Sequence, residues 1–94
     1  MWKLPVKYSK LSYKARKAVR NSYIELQKGK CWYCDAPLDG PPPEKITGLK
    51  IWWEYFPTGF LKNPIHLQHN HKTDETEGAV HAYCNAVLWQ YEGR

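Results

Sequence analysis

The sequence predicts the α+β fold class, as a small zinc-stapled domain led by a basic N-terminal helix. Three observations predict it. A segment of helical period near the N-terminus runs into a Cys-x-x-Cys pair, a His-x-x-Cys pair of the same step lies far downstream, and short strand-like segments between them precede a second helical segment. Ninety-four residues make one domain, and chains this short bury a modest share of their surface, so a metal or disulfides often reinforce them. The three cysteines, Cys31, Cys34 and Cys84, suit a metal site better than a disulfide framework, because their number is odd and two are paired.

Residues 12–28 read as an amphipathic helix. Ser12 can cap it, Ala15, Ala18, Val19, Ser22, Tyr23 and Leu26 recur at helical spacing as the inward face, and Gly29 is placed to end it. The other face carries Lys14, Arg16, Lys17 and Arg20. Asp39-Gly40-Pro41-Pro42-Pro43 is a stiff connector that is neither helix nor central strand. Leu49 to Phe56 is rich in β-branched and aromatic residues and predicts a strand, reversed at Pro57-Thr58-Gly59. Trp52, Trp53, Tyr55, Phe56 and Phe60 of this aromatic insert, residues 39–64, either close the core or face nucleic acid; a domain this small needs large aromatics inside, so the core is preferred. Ile65 to His71 predicts a strand, Thr73 to Glu77 a polar turn, and Gly78-Ala79-Val80 the returning strand. Ala82 to Tyr91 then predicts a closing helix with Val87, Leu88 and Tyr91 on its buried side.

Charge is unevenly placed. Residues 1–30 hold nine Lys or Arg against one acid, Glu25, while the whole chain carries only +5, so the remainder is mildly acidic. Such asymmetry suits a helix that neutralises phosphates, with Lys14, Arg16, Lys17 and Arg20 as the nucleic-acid contacts; a merely solvated face is the alternative. Basic residues interrupt the N-terminus throughout and no apolar run reaches spanning length, so no membrane association and a cytoplasmic location are expected.

Cys31, Cys34, His81 and Cys84 form a Cys3His set, and a tetrahedral nitrogen and sulfur shell is what Zn2+ prefers. The pairs are separated by 46 residues, so an ion joining them would tie the start of the domain to its last helix. Four protein ligands leave no open position, which makes this zinc structural; free buried thiols beside a satisfied histidine are the alternative. Separately, His66-Leu67-Gln68-His69-Asn70-His71 places three of the four histidines within six residues. A neutral imidazole can take a proton from water, and amide oxygens can help hold a hard cation against a phosphate.

Taken in order, Lys28-Gly29-Lys30-Cys31-x-x-Cys34, the histidine segment, and Gly78-Ala79-Val80-His81-x-x-Cys84-Asn85 resemble the HNH, or ββα-metal (His-Me finger), nucleases, most closely the phage recombination endonuclease VII group. The resemblance spans roughly residues 12–90 without the insert and implies a single HNH endonuclease domain over residues 1–94, with 1–30 its basic helical region and 65–92 its ββα-metal core. It implies that His69 is the general base, that Asn85 on the last helix and Gln68 on the strand bind a catalytic Mg2+ or Mn2+, and that His71 works near the scissile phosphate. His66 has a counterpart of less definite role. Products would carry 5′ phosphate and 3′ hydroxyl ends.

Four positions depart from the group. Gln68 stands where Asp or His is usual and is a neutral, weaker ligand, His81 replaces a cysteine, Glu77 stands where a basic residue is common, and Leu88 replaces an acid one turn after the asparagine. The expected function is metal-dependent DNA nicking, in which either Asn85 serves as metal ligand alone, with the DNA phosphate and waters, or Gln68 attenuates the enzyme. Close relatives pair through a long helical extension that these residues do not contain, so a monomer or weak homodimer is expected. The alternatives are a catalytically inactive zinc module that binds nucleic acid, and a phage protein that contacts another protein through the aromatic insert.

Overall fold

The computed structural model describes residues 2–93. The order is a 3-10 turn at Tyr8–Lys10, helix α1 (Tyr13–Leu26), a single-turn helix α2 (Glu44–Thr47), a 3-10 turn at Trp53–Tyr55, strands β1 (Ile65–His69) and β2 (Thr76–His81), and helix α3 (Ala82–Glu92). The sheet has two antiparallel strands, paired from Ile65 with His81 to His69 with Thr76. A small α+β domain results, with α1 and α3 packed on the hairpin.

Ser12 caps α1 as its sequence position suggests, its side chain accepting from Ala15 N–H at 3.1 Å. The helix stops at Leu26, because Lys28 takes a left-handed conformation (φ 56°) and the next residue bonds back from Gly29 N–H to Ile24 O at 2.9 Å. With Lys28 N–H on Glu25 O at 3.1 Å this is a Schellman ending, and Gly29 (φ 75°) carries the left-handed conformation one place further. The inward face is narrower than the apolar pattern suggests. Val19 and Tyr23 are buried, whereas Leu26 is 70% exposed and Ala18 is exposed; Arg16 and Arg20 are half-buried in their place.

Tyr23 shows why the helix turns this way. Its hydroxyl reaches Thr76 Oγ1 at 2.9 Å and Thr76 O at 3.2 Å in the interior, and Thr76 Oγ1 also accepts from Val6 N–H at 3.1 Å. A buried phenol needs such a partner, and burial raises its pKa above the ordinary value. Thr76 therefore joins α1, β2 and the N-terminal segment. That segment continues the edge of the hairpin: Thr76 N–H donates to Val6 O at 2.9 Å and Tyr8 N–H to Asp74 O at 2.7 Å.

The first strand ends two residues before the apolar alternation does. Asn70 Oδ1 accepts from Lys72 N–H (2.8 Å) and Thr73 N–H (3.1 Å), an Asx turn that bends the chain and leaves His71 in the turn. The returning strand starts early, at Thr76, and a bulge between Gln68 and His69 shifts the register at Glu77.

Gly78 is where α1 and the cysteine loop close on the sheet. Gln27 brackets Ala79, accepting from its N–H at 2.9 Å and donating to its carbonyl at 2.9 Å, and Trp32 N–H also donates to that carbonyl at 2.9 Å. A Cβ on Gly78 would lie 2.6 Å from Trp32 Cγ and 2.8 Å from Gln27 Oε1. Gly78→Ala is therefore expected to cost about 1–3 kcal/mol through overpacking, read as a lowered denaturant midpoint at unchanged slope; an unchanged midpoint would show that Trp32 moves aside freely.

The strand expected over residues 49–56 is absent, and its backbone has other partners. Lys50 O accepts from Gln90 Nε2 (2.8 Å) and Tyr91 Oη (2.6 Å), while Trp52 N–H donates to Gln90 Oε1 (3.0 Å). Tyr83 Oη similarly donates to Thr47 O and Leu49 O, at 3.1 and 3.0 Å. Side chains of α3 thus satisfy main-chain groups that a strand partner would otherwise take. Tyr91, expected on the buried side with Val87 and Leu88, is half exposed because its hydroxyl reaches out to the insert. Phe56 and Phe60 pack against the core, as preferred for the insert, but Trp52, Trp53 and Tyr55 remain exposed. No helix among the described residues is long and apolar enough to cross a membrane.

Candidate functional site

Two sites are built on the hairpin and its following helix. In the first, the ligand atoms of Cys31, Cys34, His81 and Cys84 all lie within 4.8 Å of one another and can hold a zinc ion. His81 Nδ1 is 3.4 Å from Cys34 Sγ and 3.6 Å from Cys84 Sγ. Nitrogen and sulfur ligands on one tetrahedral zinc, at bond lengths of about 2.0–2.1 and 2.3 Å, stand about 3.6 Å apart, so these separations fit the ion.

The sulfur cage is built by local sequence. Cys31-Trp32-Tyr33-Cys34 turns tightly, with Tyr33 and Cys34 N–H donating to Cys31 Sγ at 3.4 and 3.5 Å. Asp35 continues the turn in a left-handed conformation, and Cys31 N–H reaches Ala36 O at 2.8 Å. The connector then serves His81, whose Nε2 lies 2.9 Å from Pro37 O and 3.0 Å from Gly40 O. Those carbonyls hold the proton on Nε2 and leave the Nδ1 lone pair facing the sulfurs, the tautomer a ligand needs. Hydrogen bonding from the Cys84 thiol holds Cys31 well below the ordinary thiol pKa, and Cys84 is correspondingly raised. A thiolate is thus already favoured at Cys31.

The second site is a cleft of about 460 Å³ whose lining includes His66, His69, His71 and Asn85 together with Tyr8, Tyr55, Phe56, Phe60 and Trp89. β1 supplies His66 and His69, the Asx turn His71, and α3 Asn85. The rings of His69 and His71 are 4.5 Å apart. Tyr8 stacks flat on His69, centroids 3.8 Å apart and planes within 6°, and the Arg16 guanidinium covers the Tyr8 ring at 4.2 Å. His69 is half-buried, and its pKa lies below the ordinary histidine value, first through desolvation and then through His71; Asp74 pulls the other way. The neutral, proton-accepting form therefore prevails at neutral pH.

Three of the four basic helix residues meet the cleft's rim. Arg16, Lys17 and Arg20 line an adjacent hollow of about 290 Å³ that shares Tyr8 and Leu67 with the cleft. Arg20 also donates to Ile65 O at 3.3 Å. Lys14 does not line this hollow, although it is exposed on the same helix. Comparison of the chain with protein-family models, curated proteins and solved structures gives no match.

Sequence reasoning placed His69, His71 and Asn85 together, and they share one cleft. It also assigned Gln68 to a cation there, and the structure does not bring it in. Gln68 is 1% exposed, and its Nε2 donates to His69 O at 2.8 Å and Glu77 Oε1 at 3.3 Å. Asn85 fits a cation-binding role, since it reaches the cleft; Gln68 does not, and no Asp or Glu lines the cleft among the described residues. Gln68→Asp would remove a buried donor and set a carboxylate beside Glu77. It is expected to destabilise by about 1–3 kcal/mol or more, read as a lowered melting temperature; an unchanged melting temperature would show that position 68 is not confined in the interior.

Tyr8 escaped the sequence reading. Nothing in Lys7-Tyr8-Ser9 marks a functional residue; long-range bonds, among them Tyr8 N–H to Asp74 O, carry the ring to His69.

Proposed function

We propose that this chain is an HNH-type, ββα-metal DNA endonuclease that nicks phosphodiester bonds, with a structural zinc in the Cys3His cage. The observation that carries the reading is the convergence of His69, His71 and Asn85 on one cleft beside the Arg16, Lys17 and Arg20 hollow. The order β1, β2, α3, with the cage pinning the start of α3, supports it.

In this reading Arg16, Lys17 and Arg20 bind backbone phosphates and bring one diester to the rim of the cleft. His69, neutral and fixed by Tyr8, accepts a proton from a water as that oxygen bonds to phosphorus. The bond from phosphorus to the 3′ oxygen breaks, and the departing oxygen takes a proton from solvent. His71 stands 4.5 Å from His69 and donates to a non-bridging oxygen. A divalent cation bound at Asn85 would supply charge neutralisation at the phosphate. The aromatic wall offers faces on which a nucleotide next to the cut can stack.

The second reading, a zinc module that binds nucleic acid without cutting it, is favoured by one observation, the carboxylate-free cleft. Supercoiled plasmid incubated with the zinc-loaded protein and Mn2+, Mg2+ or EDTA decides between them. Nicking that needs a divalent cation and is lost in both His69→Ala and Asn85→Ala is expected. Plasmid retention with no nicking under any metal would make the chain a binder.

A further inference from the structure

We infer that His66, and not Gln68, is the second protein ligand of the cation held by Asn85, and that this ion is a transition metal such as Mn2+ in preference to Mg2+. The inference rests on reading the cleft as a metal-dependent site. His66 Nδ1 and Asn85 Nδ2 face each other across the gap between β1 and α3 at 3.0 Å. Two ligands bound side by side to one octahedral ion, each at about 2.1 Å, also stand about 3.0 Å apart. Amide oxygen and nitrogen are near-isosteric, so a half-turn of the Asn85 amide puts Oδ1 where Nδ2 stands. The pair can then pass from hydrogen bond to chelate without moving the backbone.

The imidazole is already anchored as a ligand would be. The main chain of Phe60 and Asn63 hydrogen-bonds the ring, and Phe60 packs edge-on against it with centroids 4.8 Å apart. With Nδ1 turned to Asn85, those bonds fall to Nε2, so the proton sits away from the cleft and the lone pair points into it. His81 is held in the same fashion by Pro37 and Gly40 in the sulfur cage. The aromatic insert thus gains a task, since its last residues fix the tautomer of His66.

The donor set decides the metal. Mg2+ binds oxygen ligands and carboxylates in particular, whereas imidazole suits transition metals. The cleft offers three imidazoles and one amide, and no carboxylate among the described residues.

Site-resolved NMR of the zinc-loaded, 15N-labelled chain, titrated with Mn2+ without DNA, tests this, because paramagnetic broadening is strongest nearest the ion. The Asn85 side-chain amide and the His66 ring nitrogens should broaden at the lowest Mn2+ concentration. His66→Ala and Asn85→Ala should each raise the concentration needed at least tenfold, and Gln68→Met should change it less than twofold. His66→Phe keeps the packing on Phe60 without a ligand nitrogen, and serves where His66→Ala does not fold. Unchanged Mn2+ affinity in His66→Phe, its loss in Gln68→Met, or no response in the cleft would overturn the ligand assignment. Equal displacement of Mn2+ by an equal concentration of Mg2+ would overturn the metal preference. Plasmid nicking run in parallel separates the two ideas: nicking by the wild type with Mn2+ affinity indifferent to His66 leaves the nuclease and removes this ligand, whereas the expected Mn2+ pattern without nicking does the reverse.

Discussion

Stripping the metal from the Cys3His cage is expected to abolish the cooperative fold, and not merely to lower its melting temperature. Structural zinc in small domains contributes an apparent ~10–16 kcal/mol, which matches or exceeds the whole net stability of ~5–15 kcal/mol typical of a domain. The cage joins the turn after α1 to the first residues of α3 across 46 intervening residues. Without an ion, three sulfurs and an imidazole would crowd within 4.8 Å, three of the four residues buried. Purified protein should contain one zinc per chain, and a strong chelator should erase both the thermal transition and the near-ultraviolet circular dichroism of the packed aromatics. His81→Cys should keep the zinc, because a four-cysteine shell suits it equally, whereas His81→Ala should lose it. A cooperative melt that survives proven removal of the metal would reduce the cage to a cluster of buried thiols.

What the sequence made legible was local or periodic. The equal steps of Cys31 to Cys34 and His81 to Cys84 reveal the cage because metal geometry fixes ligand spacing within a turn. Ser12 marks the start of α1, and Ala82 to Tyr91 the body of α3, for similarly short-range reasons. Residues whose position depends on distant partners were not legible. The 49–56 segment has strand composition, but its carbonyls are claimed by Tyr83, Gln90 and Tyr91 from another element. Gln68 follows a strand alternation that the bulge at Glu77 interrupts, and its amide turns inward. Tyr8 and His66 acquire their places through Asp74 and Asn85, at separations no periodicity reports.

His69→Ala is expected to slow nicking by about 10²–10⁴-fold, the usual contribution of a general base, with plasmid binding nearly unchanged. In the proposed function Arg16, Lys17 and Arg20, which line the hollow, bind the DNA, whereas the imidazole stacked on Tyr8 takes the proton. The pH profile gives the sharper test. Only neutral imidazole accepts a proton, so the rate falls as pH drops through the pKa of His69. Burial, with His71 and Arg16 nearby, favours the neutral form more than Asp74 and Glu77 favour the charged one. The acid limb should therefore be centred below the ordinary histidine value of about 6.5, and a limb centred above it would deny His69 the role. Tyr8 lies flat over one face of the His69 ring. Tyr8→Ala should move the limb back towards the ordinary value and lower the rate, while Tyr8→Phe, which keeps the stack, should leave the limb in place. A structural contribution of Tyr8 alone would change the amount of folded protein without moving that limb, so its position separates orientation of the base from stability of the domain.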